Sequence, residues 1–413
     1  MEFIDGLKKE EYTDFVYSHP NGHFLKSYEW GQVSKERGLI PYYVGMRDGE
    51  KLVASALLLK KSLPLGYSYF YIPRGYTIDY DNYELLKQFT LEIKKFTKQH
   101  KSLFFKIDPD IYLHHIDCCA QVIPDDDNHY ELVDQFLKMG FQRRKLTKFF
   151  ETMQPRFTFR VSLDDMDAVR KRYSKTVHRF VKLADKYGVK VHVGSKENLS
   201  DFVRLMKLTE KRQSFFSHEY DFYEKFYELF GENGYVDLLY ATVDVKQVLV
   251  VIQEDLDKLD VAKEENRDRY QKLVHMKAHF QALDSRHEKI VSAYFNVNYG
   301  NKSWYLYGAN DMDYKLTYAN YKLFDFQIEN AYRHQKEIFD EFGTIGDVHT
   351  DKSVIGLHEF KKKFGGEYTE FIGEFDYITR PFMYFVFMKL VPLYRKPMKF
   401  FRHLRVRFQK DYS

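Results

Sequence analysis

"PYYVGMRDGEKLVASALLLKKSLP", residues 41–64, decides how the fold is read. Two runs of strand-forming residues flank Asp48-Gly49, and an Asp-Gly pair between such runs is a strong hairpin signal because the turn needs positive φ. Downstream, "YSYFYIPRG" (67–75) is an apolar strand that stops at Pro73-Arg74-Gly75. "NYELLKQFTLEIKKFTKQHK" (82–101) places Leu85, Phe89, Ile93 and Phe96 at helical spacing. "SLFFKIDPD" (102–110) is a strand ended by Asp108-Pro109, since a residue before proline is pushed to extended geometry and the chain then turns. Residues 1–150 therefore read as a sheet with helices against it.

After a polar break at Asp125-Asp126-Asp127 the theme restarts. "RFTFRVSL" is a strand, and "DAVRKRYSKTVHRFVKLADKYG" a helix closed by Gly188. "VKVHVG" is a strand, "LSDFVRLMKLTEKRQ" a helix, a further helix starts near Tyr220, and "GYVDLLYATVD" is a strand. The expected class is α+β, one unit over 1–150 and a second over 151–245 and 290–380. Between the two parts of the second unit, residues 246–289 lack Pro and Gly and are rich in charge. Leu256 and Leu259, then Tyr270, Leu273, Met276 and Phe280, sit at helical spacing on either side of "KEENRDR". This predicts an inserted antiparallel helical hairpin, a short coiled-coil arm standing off the second unit. The alternative is a helix of the main domain. Strand signals resume in "VSAYFNVNYGNKSWYLYGAN".

With 413 residues the chain exceeds the size at which single cores split. Its 37 Phe and 34 Tyr supply core and amphipathic groove walls. A net charge of +4 does not by itself mark a nucleic-acid binder, but residues 381–413 gather Lys389, Arg395, Lys396, Lys399, Arg402, Arg405, Arg407 and Lys410. Pro392 and Pro397 break this tail, so it reads as a basic amphipathic surface segment suited to an anionic membrane, not as a span. Cys118 and Cys119 are adjacent and cannot staple distant elements, and no signal-peptide pattern or long apolar run appears, so the expectation is a reducing, cytoplasmic setting.

Few residues carry chemistry on their own. Asp108 and Asp110 offer a carboxylate base or merely a turn. His114-His115-Ile116-Asp117-Cys118-Cys119 lacks the spacing of a closed zinc site, and no metal or cofactor is expected. Nucleophile-elbow, Walker and dinucleotide motifs are missing. The strongest local signal is Lys361-Lys362-Lys363 before Phe364-Gly365-Gly366. Glycines admit close backbone approach, and lysine is a point charge suited to phosphate or a developing oxyanion. The plainer alternative is a hairpin with a solvated lysine face, in which Lys362 and Lys363 alternate across the following strand.

"HFLKSYEWGQV", "LPLGYSYFYIPRG", "FKIDPD", "TEKRQSF", "WYLYGAN" and "GLHEFKKKFGGEYTEFIGEFD" occur in this order. Together they resemble the Fem/Mur family of non-ribosomal aminoacyltransferases over nearly the whole chain. The tail "LVPLYRKPMKFFRHLRVRFQK" is most similar to its MurM-type branch. The resemblance implies two acetyltransferase-type (GNAT-like) subdomains packed together, with the helical arm in the second. It implies transfer of an amino acid (alanine, serine or glycine) from aminoacyl-tRNA to the stem-peptide lysine of a peptidoglycan precursor, lipid II or UDP-MurNAc-pentapeptide, to build the interpeptide bridge at the inner face of the membrane. It places Lys361 at the reacting carbonyl with Phe360 beside it, and matches Asp108 to a proposed base. It assigns Arg212 to the precursor's phosphates. The family lysine just after the tryptophan has Ser34 at its position, with Lys35 next. Tyr305, Tyr307, Arg74, Phe216 and Lys363 complete the implied substrate contacts. An acyl-CoA enzyme of the same fold would carry a pyrophosphate loop that is not found, and a non-catalytic tRNA- or membrane-binding adaptor would leave Arg212 and Lys361 dispensable.

Overall fold

The computed structural model describes residues 1–117, 119–147, 151–213, 217–283, 287–346 and 352–389. In the first part of the chain the strands are β1 (Glu2–Asp5), β2 (Ile40–Asp48), β3 (Lys51–Ser62), β4 (Ser68–Ile72), β5 (Thr77–Ile78), β6 (Ser102–Ile107), β7 (Tyr112–His115) and β8 (Phe141–Arg143). The rest supplies β9 (Phe157–Ser162), β10 (Lys190–Val193), β11 (Val236–Val243), β12 (Lys289–Tyr299), β13 (Lys302–Asn310), β14 (Ile338–Asp340), β15 (Glu367–Phe371) and β16 (Phe375–Ile378). One sheet has the order β1-β2-β3-β4-β6-β16-β8, with β5 paired to β3; the other runs β10-β11-β12-β13-β14-β9-β15-β7. Each is antiparallel but for one parallel pair, β4/β6 and β13/β14. A helix bridges each pair, Tyr83–Gln99 in the first sheet and Ala319–Arg333 in the second, because a parallel connection needs a crossover of about a dozen residues or more.

The sheets exchange strands. β7 leaves the first part of the chain to pair with β15, and β16 returns late in the chain to pair with β6 and β8. Residues 375–378, expected in the second unit, therefore belong to the first sheet. The two crossing links run side by side, joined by the Ile372 N–H donating to the Ile111 carbonyl at 2.9 Å. Asp108 and Asp110 sit on this crossing.

Three large apolar cores follow, with a small fourth of Ile116, Phe157, Phe159 and Tyr368. Leu85, Leu86, Phe89, Ile93 and Phe96 pack the helix Tyr83–Gln99 on one face of the first sheet. On the outer face of the second, Leu323, Phe324 and Ile328 meet Val177 and Tyr187. A middle core joins the units: Tyr12, Phe24, Trp30 and Tyr71 pack with Phe202, Phe226, Phe295 and Trp304. The arm forms as two helices, Val245–Asp257 and Glu264–Gln281. Its base does not stand off. Val248, Ile252, Leu273, Met276 and Phe280 are buried in the outer core of the second unit, since those side chains line one inward stripe; only the distal part near residues 258–272 is mostly exposed.

Two local expectations change. The segment 166–186 is two helices, Met166–Lys171 and Lys175–Lys186, because the Ser174 side chain caps the second by accepting from the Val177 N–H. The lysine run is not in a strand. Lys361 ends the helix Lys352–Lys361, and Lys362–Phe364 form one tight 3₁₀ turn. Gly365 closes it at φ +74°, where an added Cβ would lie 2.6 Å from the Arg172 carbonyl oxygen. Strand geometry starts only at Glu367.

Candidate active site

The crossing links build a buried chain of charge. Asp108 is 4% exposed. Its Oδ1 accepts the Arg74 backbone N–H at 2.8 Å and its Oδ2 the Tyr71 hydroxyl at 3.0 Å. Burial pushes its pKa up to about 7, against the pull of Arg74. Asp110 is equally buried, and burial opposes its ionisation too. Yet Arg160 at 2.5 Å and Lys302 at 3.3 Å hold its carboxyl well below the usual range. The two aspartates thus have separate states: Asp110 is a fixed anion, and Asp108 is the one that titrates near neutrality. Arg160 continues the chain to Asp340 at 2.9 Å, and Asp340 precedes Glu341.

Lys361 lies at the far end. Only 2% exposed, its Nζ donates to the carbonyls of Glu341 (2.5 Å), Phe342 (3.0 Å) and Gly343 (2.9 Å). Those are all the donors an ammonium has. Burial lowers its pKa to about 8, with Glu341 opposing. Glu341 is fully buried, and neither of its carboxylate oxygens has a hydrogen-bond partner among the described residues. Burial pushes its pKa far up, opposed by Lys361. For Lys361 to stabilise an oxyanion, one of its three carbonyl contacts must be handed over.

Phe360 is half-buried and packs on Tyr321, Phe324 and Phe364, with ring centroids 5.1, 5.1 and 5.3 Å away. Tyr321 also lines a cavity of about 320 Å³ at the start of the helix Ala319–Arg333, shared with Phe180, Asn310, Tyr314 and Tyr318. Arg212, exposed, reaches the rim of this cavity by donating to the Asn310 carbonyl at 3.4 Å. Tyr305 lies 5.4 Å beneath Lys361 Nζ and packs on Tyr294 and Phe324. Tyr307 faces the other core, against Tyr223 and Phe295. Strand alternation would put both tyrosines on one face; an extra residue, Leu306, in the register of β13 against β12 separates them.

The remaining expected contacts lie elsewhere. Arg74 is buried, its guanidinium donating to the Pro155 carbonyl at 3.2 Å and lying 4.8 Å from the Phe371 ring. Its φ of +53° is what aims its N–H at Asp108. Lys35 is exposed and donates to Gln32 Oε1 at 2.7 Å. Lys363 is half-buried, and its carbonyl accepts the Ser174 N–H. Phe216 lies outside the described residues. Sequence reading missed Glu341, Arg160, Lys302 and Lys26. Lys26 is fully buried, its Nζ on the carbonyls of Asn21 (2.9 Å) and Tyr76 (2.8 Å), and burial lowers its pKa to about 7. It stands inside "HFLKSYEW", where a lysine flanked by core residues was the available signal. Among the described residues no group of His, Cys, Asp and Glu side chains is placed to hold a metal. His114 instead faces Glu370 at 3.3 Å, and His115 bridges Glu367 and Asp127 at 2.9 and 3.1 Å.

The model of the FemAB family matches residues 7–391. The chain belongs to the FemAB family. Among relatives of this FemAB chain, a protein named lipid II:glycine glycyltransferase from Staphylococcus aureus (strain bovine RF122 / ET3-1) is 27% identical, covering 97% of this chain and 98% of the relative. A protein of the same name from Staphylococcus epidermidis (strain ATCC 12228 / FDA PCI 1200) is 28% identical with the same coverage. The solved structure of FemX superposes with a TM-score of 0.77 at 26% identity, over 94% of this chain and 99% of FemX. The FemAB fold is thus present over nearly the whole chain, and the chain is an aminoacyltransferase.

Proposed function

We propose that this enzyme moves an amino acid from aminoacyl-tRNA to the stem-peptide lysine of a peptidoglycan precursor, extending the interpeptide bridge. The observation that carries this reading is Lys361, a buried ammonium ending a helix whose Phe360 packs on Tyr321, a wall of the 320 Å³ cavity. That cavity is the seat we assign to the aminoacyl end of the donor. The names of the relatives point to lipid II as acceptor and glycine as the first donor to test, with alanine and serine as the others.

The chemistry needs no covalent enzyme intermediate, because the donor ester is already activated. The acceptor ammonium, with an ordinary pKa of about 10.4, gives one proton to water and attacks the ester carbonyl as the free amine. Negative charge grows on the carbonyl oxygen, and Lys361 stabilises it after releasing one backbone carbonyl. Collapse forms the amide and expels the ribose oxygen, which takes the proton that the attacking nitrogen sheds. Substrate-assisted transfer suits this last step, since Asp108 is enclosed by Tyr71 and Arg74. Arg212 holds precursor phosphate. No helix of the described residues is long and apolar enough to cross a membrane; contact with an anionic leaflet through residues 381–413, of which 390–413 lie outside the described residues, would bring the enzyme to a lipid-linked acceptor. The test is incubation with glycyl-, alanyl- or seryl-tRNA and either lipid II or UDP-MurNAc-pentapeptide, reading amino-acid incorporation by mass. Incorporation from none of the three removes the reading.

A further inference from the structure

One end of the first sheet carries an apolar surface that the described residues leave uncovered. The helix formed by residues 381–389 lies on the sheet through Tyr384, 5.2 Å from Phe104, and Phe387, 5.9 Å from Tyr69. Its opposite stripe should be polar on a water-facing helix. Instead it presents Phe382, 76% exposed, and Phe385, 60% exposed, followed by Lys389, whose Nζ lies 5.5 Å from the Phe385 ring. The β3–β4 turn reaches the same end of the sheet. Leu65 stands at its tip, 87% exposed and at φ +61°, a conformation unfavourable for a branched side chain.

Backbone bonds fix this grouping. Ser68 N–H donates to the Lys101 carbonyl at 3.2 Å and Arg380 N–H to the Leu103 carbonyl at 3.1 Å. The Arg380 guanidinium lies 6.0 Å from the Tyr67 ring. The three segments that meet here, 63–67, 98–101 and 379–389, contain Lys98, Lys101, Arg380 and Lys389 and no Asp or Glu. Exposed phenylalanines and a leucine among cations, without acids, match an anionic bilayer surface, where the rings enter the headgroup boundary and the cations meet lipid phosphates. Charge argues against the other occupants. A second copy of this face would oppose like charges, and so would the tail after Lys389, which carries seven Lys or Arg and one acid.

We infer that Leu65, Phe382 and Phe385, with Lys101, Arg380 and Lys389 around them, form a docking face for an anionic lipid bilayer. The inference rests on the proposed lipid-linked acceptor only for its purpose; docking itself is tested without transfer. The full chain is mixed with phosphatidylglycerol-containing vesicles or with pure phosphatidylcholine vesicles and sedimented. The parent is expected to bind the anionic vesicles preferentially and to lose binding as salt rises. Phe382→Ser with Phe385→Ser is expected to bind about tenfold more weakly or worse, and Arg380→Gln about fivefold more weakly. Transfer to a soluble acceptor should be unchanged in each, which certifies the fold. Should the double variant misfold, Leu65→Ser decides, since a residue so exposed has no packing to lose. Overturning results are a parent that ignores anionic vesicles, variants that bind like the parent, or a double variant that loses self-association instead of vesicle binding. A parent that docks but transfers nothing to either the soluble or the lipid-linked acceptor supports the docking face and removes the transferase reading.

Discussion

The two helix crossovers are the same topological unit put to different ends. In the first sheet the helix Tyr83–Gln99 is closed at its start: the Asn82 side chain accepts the Leu85 N–H at 3.1 Å. Its inner residues from Leu85 to Phe96 are all in the core. In the second sheet the helix Ala319–Arg333 follows a 3₁₀ segment, Met312–Thr317, and begins at Tyr318 with φ +57° and no side-chain cap. The cavity opens at that end. A side-chain cap satisfies one of the free N–H groups at a helix start, whereas an uncapped start keeps that polar capacity for something else. The comparison teaches that one repeat is a strut and the other holds the candidate chemistry.

The sharpest way to break this contrast is Lys361→Met. Turnover should fall by about 10²–10³, the usual cost of one oxyanion donor, in a single-turnover transfer assay. Some stability is lost as well, because three carbonyls lose their donor. Near-parental transfer by a folded variant would leave the second repeat as inert as the first; Lys363→Met is the milder control.

Asp108→Asn examines the crossing link that joins the two repeats. Asp108 has a folded pKa raised to about 7, so the fold favours its neutral form. Its contribution to stability is therefore present below the ordinary carboxylate pKa and is lost as pH rises from about 4 through about 7. Asparagine keeps an acceptor for the Arg74 N–H and removes that loss. Urea melts should show the variant gaining on the parent across this window, by on the order of 4 kcal/mol at the alkaline end. Parallel curves would mean that Asp108 is ionised throughout.

Arg212→Ala should weaken precursor binding about tenfold, as expected for one charge-assisted hydrogen bond, with the rate at saturating acceptor nearly unchanged. An unaltered KM would move the acceptor away from the cavity rim. The smallest effect belongs to the strut: Asn82→Ala should lower stability by about 1 kcal/mol and leave transfer untouched. A loss of transfer there would show that the first repeat is not a mere strut.

Much of this was legible because it is local. The Asp48-Gly49 hairpin, the strand β6 and the helix Tyr83–Gln99 are encoded by turn chemistry and by side-chain periods of 2 and 3.6, and each formed where that pattern placed it. The paired α+β organisation and the arm's two helices follow from the same short-range signals. The order of the motifs pointed to the family that the full-length match then established.

Only the tertiary structure decided which sheet β7 and β16 join, because their partners lie far away in sequence. Lys361, Lys362 and Lys363 look alike on paper. Burial and three carbonyls single out Lys361, and those carbonyls come from a loop about twenty residues upstream. Asp108 and Asp110 also look alike, and they part company because Arg160 and Lys302, delivered from the other sheet, hold only Asp110 as an anion. Helices and strands are chosen by neighbours along the chain. Charge states and burial are chosen by neighbours in space.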